Sequence, residues 1–177
     1  MLNFFALQLG WFAAVLGAAN QLGWPFLSLM IVYCTYHFRV STQRKQDLSI
    51  MLAAVLFGLV VDSLYVNLGL VTYASDEGLP LAPLWILGLW SLLGLSIGQS
   101  LRWVKRHWSI AALAGMVSAP LSFWAGVRFG AAKTDALMTF LIVQSLTWGI
   151  AMPLLAKLDD RLRRTPAGMT ASMEQAL

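Results

Sequence analysis

A single carboxylate in this sequence stands where a carboxylate is costly. Asp62 lies well inside the apolar run 48–72, at a depth of roughly 20 Å for a helical rise of 1.5 Å per residue. An ionisable side chain at such depth faces a protein interior or a water-filled cavity and marks binding or proton transfer. Gly58, Asp62, Tyr65 and Gly69 recur at helical spacing, so the acid shares a stripe with two glycines that suits close helix approach or a cavity. Gln144 and Ser145 in the run 135–156, Trp90 in 83–101, and Ser118 and Ser122 in 109–130 fall at similar heights. The expected substrate-binding set is therefore Asp62, Tyr65, Trp90, Ser118, Ser122 and Gln144. In it, Asp62 and Gln144 hold a polar group, or Asp62 carries a proton. The competing reading is a hydrogen-bonded Asp that only locks helices together. Arg128 stands about 10 Å further outward by the same rise, so pairing it with Asp62 requires tilt.

Other chemistry is harder to find. There are no paired intramembrane carboxylates, no glycine-rich phosphate loop, no Cys–His pair and no HExxH, so no catalytic residue is assigned. His37 and His107 have no Cys or carboxylate at ligand spacing, and neither a metal nor another cofactor is expected. Cys34 is the only cysteine, which rules out an intramolecular disulfide. Pro120 lies between Ser118 and Ser122. A helical proline frees a backbone carbonyl, which a hydroxyl or water can satisfy, so a kink beside a cavity is one expectation and a tolerated packing kink the other.

The elements that must position these residues are six apolar segments, at 4–20, 24–38, 48–72, 83–101, 109–130 and 135–156. A chain of 177 residues that is 59% hydrophobic and only 11% charged is not an ordinary soluble domain. A transmembrane helix needs about 20 apolar residues, and segments three to six meet that length. The first two are shorter and form either two spans or one re-entrant hairpin. The fold expected is all-α, a bundle of six transmembrane helices over residues 1–157, with 158–177 a polar cytoplasmic tail that is frayed or weakly helical. Residues 1–20 hold no Lys or Arg, so the first segment reads as a retained helix and not a cleaved signal peptide.

Ten of the twelve basic residues fall in alternate gaps and the tail: Arg39, Arg44 and Lys45; Arg102, Lys105 and Arg106; Lys157, Arg161, Arg163 and Arg164. Arg128 and Lys133 remain on the other side, whose gap at 74–78 carries Asp76 and Glu77. Short cytoplasmic loops retain Lys and Arg, so both termini are expected in the cytoplasm. Spread in this way, the +4 charge and pI near 9.6 form no basic stripe for nucleic acid. Membrane lipids are the expected partners. Trp24, Tyr73 and Trp85 are expected at the outer headgroup level and Tyr36, Trp103 and Trp108 at the inner one. Trp11, Trp90, Trp124 and Trp148 lie deeper and are expected to face the bundle. Ala6, Gly10, Ala14 and Ala18 form a small-residue stripe that suits a partner helix or internal packing. The hexapeptide Leu59-Val60-Val61-Asp62-Ser63-Leu64 is echoed by Leu141-Ile142-Val143-Gln144-Ser145-Leu146, as a three-plus-three inverted repeat would require.

Gly58-x-x-x-Asp62, Gly69, Pro83-x-Trp85, Leu89-Trp90, Ser100-Leu101-x-Trp103, Gly115, Pro120-x-Ser122 and Gly126-x-x-x-Gly130-Ala131 together resemble a family of small proteobacterial inner-membrane proteins catalogued only as a domain of unknown function. The likeness covers nearly the whole chain. It departs at Ala119 and Phe123, where the family pattern has Gly and Tyr. The resemblance implies a bacterial inner membrane and envelope lipid physiology, and it supplies no reaction.

The expected function is an integral inner-membrane protein that binds or transports a small amphipathic or lipid-like molecule, alone or as a subunit of a larger complex. The alternatives are a noncatalytic scaffold for a lipid-modifying enzyme, using the stripe on segment one, and an intramembrane lipid-acting enzyme using Asp62. In length and helix number the chain is also analogous to vitamin-binding subunits of energy-coupled importers.

Overall fold

The computed structural model describes residues 2–74 and 80–174, with side chains described for 5–74 and 80–164. Asp76, Glu77 and Gly78 lie outside the described residues. The fold is all-α. Its helices are α1 (Leu2–Ala19), α2 (Trp24–Val40), α3 (Arg44–Asn67), α4 (Leu84–Ile97), α5 (Trp108–Arg128) and α6 (Leu137–Glu174). A 3-10 turn, Arg102–Arg106, follows α4, and two short strands, β1 (Thr72–Tyr73) and β2 (Ala132–Lys133), pair antiparallel.

The helix boundaries have local causes. Pro25 occupies the first turn of α2, where its missing N–H is no loss. The third segment ends earlier than 72 because Gly69, at φ +66, turns the chain. There Leu70 N–H donates to the Tyr65 carbonyl and Gly69 N–H to that of Val66, a Schellman cap. Gly130, at φ +85, ends α5 in the same way, with Ala131 N–H bonded to the Gly126 carbonyl. Gln21 (φ +60) and Leu22 repeat the pattern after α1.

α3, α5 and α6 over Leu137–Arg164 are long and apolar enough to cross a membrane, whereas α1 and α4 are shorter apolar helices. The fourth segment was expected to be full length, and its helix covers only 14 residues. Pro83 caps its start and Gly98 its end. Trp90, Leu92, Leu95 and Ile97 are almost wholly buried, so α4 is enclosed by its neighbours α1, α3 and α6. α6 is longer than its apolar segment, because residues 158–174 continue the helix through the segment expected to be frayed or weakly helical.

Successive helices alternate in direction between two poles. At one pole the chain just beyond α1, α3 and α5 converges: Ala18, Ala131, Ala74 and Trp85 pack together, and Ala74 N–H bonds to the Ala131 carbonyl at 2.8 Å. The other pole carries the basic residues and is held by buried ion pairs. Asp47, at the start of α3, takes bonds from His37 Nε2 (2.9 Å), Ser41 Oγ (2.6 Å) and Arg163 Nη2 (2.7 Å). Arg163 also bonds Asp159 through Nε at 2.9 Å, and Lys105 Nζ bonds Asp159 at 2.7 Å. Four elements, α2, α3, α6 and the 3-10 turn, are thus tied by charge.

The outer surface is apolar. Leu48, Leu52, Leu56, Val60 and Leu64 on α3, and Met138, Ile142, Leu146, Ile150 and Leu154 on α6, are all exposed at a four-residue interval. Buried polar groups lie inside: His37, Asp47, Asp62, Gln144 and Asp159. Apolar stripes outside and polar groups turned inward are what a hydrocarbon solvent selects. Trp24, Tyr36, Trp103 and Trp108 are exposed, as interfacial anchors should be. Tyr73 is not such an anchor, since β1 returns it to the interior. Trp124 corrects the expectation for the deep tryptophans, because it faces outward with Arg128 against its ring.

Candidate functional site

Asp62 stands close to the C-terminal end of α3, nearer that pole than the longer segment had implied. Its side chain is buried, and both oxygens are held. Tyr73 Oη donates to Oδ1 at 2.5 Å, and Trp90 Nε1 donates to Oδ2 at 2.7 Å. The first bond depends on the Gly69 turn and on pairing of β1 with β2, which bring Tyr73 back beside the helix it has just left. Burial first, and then the Asp62 carboxylate, push the Tyr73 phenol well above its ordinary range, so it remains a protonated donor.

The second bond depends on Gly58. A Cβ at that position would collide with the Trp90 ring, so the glycine one turn before Asp62 makes the space in which the indole lies. Trp90 in turn stacks on Trp148 of α6, with ring centroids 4.5 Å apart and planes inclined by 19°. Next to Asp62, Ser63 Oγ accepts the Ala82 N–H at 2.9 Å, which draws the chain entering α4 onto α3.

These groups border a cavity of about 560 Å³ lined by residues of α1, α3, α4, α5 and α6. Asp62, Trp90, Ser118, Ser122 and Gln144 all line it. Tyr65 does not, because its ring turns to meet Phe140 edge-on at 5.0 Å. Gln144 is 7% exposed, and its Oε1 has no hydrogen-bond partner among the described residues. The two polar positions of the sequence echo, 62 and 144, therefore face one cavity. Arg128 takes no part, since its guanidinium lies 5.6 Å from the Trp124 ring centroid.

The cavity reaches the surface between α1 and α5. Gln8, Phe12, Ser118 and Leu121 line it and are exposed. Trp11 bridges the two helices, donating from Nε1 to Ser122 Oγ at 2.7 Å. No Lys, Arg or His is among the described residues that line it. The small-residue stripe of α1 is turned the other way: Gly10 packs on Leu92, and Ala14 and Ala18 are buried in the chain's own core. The outward stripe of α1 is Phe5, Leu9, Phe12 and Leu16.

Tyr73, Trp11, Trp148 and Gln8 were not in the substrate-binding set expected from the sequence. Trp11 and Trp148 had a signal, since a deep indole needs a partner. Tyr73 had none, because only the turn at Gly69 carries it to Asp62.

Residues 1–154 match the family described as Protein of unknown function (DUF2878), and the chain belongs to that family. No match was found among curated proteins or among solved structures.

Proposed function

We propose that this member of the DUF2878 family binds or transports a small amphipathic or lipid-like molecule in the cavity beside Asp62, alone or as a subunit of a larger complex. The observation that carries the reading is Gln144 Oε1, a buried acceptor without a partner that borders an apolar-walled cavity with a sideways mouth. Leaving such an atom unsatisfied costs about 1–3 kcal/mol, a cost that a bound polar group removes. The volume of about 560 Å³ lies within the range of about 300–1,000 Å³ common for small-ligand sites. A mouth between two helices whose outer faces are apolar admits a molecule from the acyl-chain layer, and the polar end of that molecule would meet Asp62 and Gln144. An acid–base role for Asp62 is less well supported, because both oxygens are engaged by the neutral donors Tyr73 and Trp90.

In this reading the six helices span a bacterial inner membrane with the basic pole in the cytoplasm. The asymmetry of Lys and Arg supports this orientation, and the alternation of helix direction agrees with successive passes in either orientation. In a Cys34→Ser background, Lys133→Cys should be labelled from outside the cell and Lys45→Cys only from inside. Labelling of Lys45→Cys from outside would reverse the orientation.

The ligand itself is tested by native mass spectrometry of the protein extracted in mild detergent. Wild type should retain a co-purifying molecule that Asp62→Leu and Gln144→Leu lose while Asp62→Asn keeps the fold. Equal retention by all of them would overturn the assignment of the cavity.

A further inference from the structure

The charge balance of the cavity deepens this reading and rests on it. Three of the four indole donors in the lining are already committed within the protein: Trp90 to the acid itself, Trp11 to Ser122, and Trp85 to the Ala74 carbonyl at 3.1 Å. Tyr73 also donates to Asp62. The side chains left with spare capacity are the indole N–H of Trp148, the amides of Gln8 and Gln144, the hydroxyls of Ser118 and Ser122, and the remaining lone pairs of Asp62. The indole donates, the amides and hydroxyls can donate or accept, but none carries positive charge. Asp62 is the one acid in the lining, and no Lys, Arg or His accompanies it among the described residues. An anionic head placed there would lose its hydration without gaining a cation and would stand beside a carboxylate, an arrangement that a low-dielectric interior penalises heavily.

We propose that the cavity selects amphiphiles whose head donates hydrogen bonds and bears no negative charge, such as a hydroxyl or ammonium group on a single chain. The head sits between Asp62 and Gln144, Trp90 and Trp148 flank it, and the chain leaves past Phe12 and Leu121. Fatty acids and phosphate-bearing lipids are thereby disfavoured, although the membrane supplies them in abundance.

The test uses the full chain in a neutral maltoside detergent and three probes of equal chain length: monolauroylglycerol, dodecylamine and laurate. Competitive native mass spectrometry reads their relative occupancy. Monolauroylglycerol or dodecylamine should displace laurate by at least tenfold in apparent affinity, and Asp62→Asn should shrink that ratio without abolishing binding. Laurate bound as tightly as either other probe would overturn the head-group selection while leaving an amphiphile site in place. Failure of all three probes to bind would remove the amphiphile reading, and this inference with it. Whichever of the two non-anionic probes wins identifies the head as neutral or cationic.

Discussion

Asp47 and Asp62 lie on the same helix, about 22 Å apart at 1.5 Å per residue, and both are buried, with relative exposures of 1% and 6%. Their surroundings differ in kind. Asp47 is met by a guanidinium, an imidazole and a hydroxyl, and its partner Arg163 also holds Asp159. Among the described residues Asp62 is met by a phenol and an indole, with no cation beside it and a cavity in front of it. A buried charge with a full complement of opposite charge and hydrogen bonds ties elements together and has little capacity left for a ligand. A buried acid held by neutral donors is positioned and still able to interact. The basic pole is thus a clasp that ties α2, α3, the 3-10 turn and α6, whereas the acid of the other region faces open volume.

The comparison is broken most severely at Arg163. Arg163→Met keeps much of the side-chain length but leaves Asp47 and Asp159 without their shared guanidinium. Removing one partner of a buried ion pair costs roughly 3–5 kcal/mol, so thermal unfolding in detergent should move down markedly. Ligand retention, measured below the new transition, should stay near wild type, because the clasp is remote from the cavity. An unchanged melting temperature would deny the clasp its role.

Tyr73→Phe sharpens the other half of the contrast with a smaller effect. It removes one of the two donors that hold Asp62 and should cost about 1 kcal/mol of stability. The freed oxygen should change occupancy and head-group preference more than it changes the melting temperature. If both stay at wild-type values, the Tyr73–Asp62 bond does not position the acid.

Much of the fold was legible because its signals are local and the solvent is uniform. Long apolar runs announce helices, and a buried acid on a glycine stripe announces an inward face. Trp90 was expected near Asp62 because it falls at a similar height, and the structure adds that Gly58 leaves room for its ring. The clasp was not legible. Asp47 and Arg163 are far apart in sequence, and each alone reads as an ordinary charged residue flanking an apolar segment. Nor was the length of α4, because an enclosed helix need not match the thickness of an apolar layer.

The sequence by itself determined an all-α chain with apolar outer faces, a basic and a less basic end, and one acid that must face inward, because each property follows from composition or from a period of a few residues. Only the tertiary structure decided which groups meet that acid. Gly69 reverses the chain, β2 captures β1, and Tyr73 arrives at a carboxylate eleven residues behind it. Gln144 and Trp148 reach the same cavity from a helix that begins far along the chain. Such meetings depend on long-range closure, for which no local pattern carries a signal.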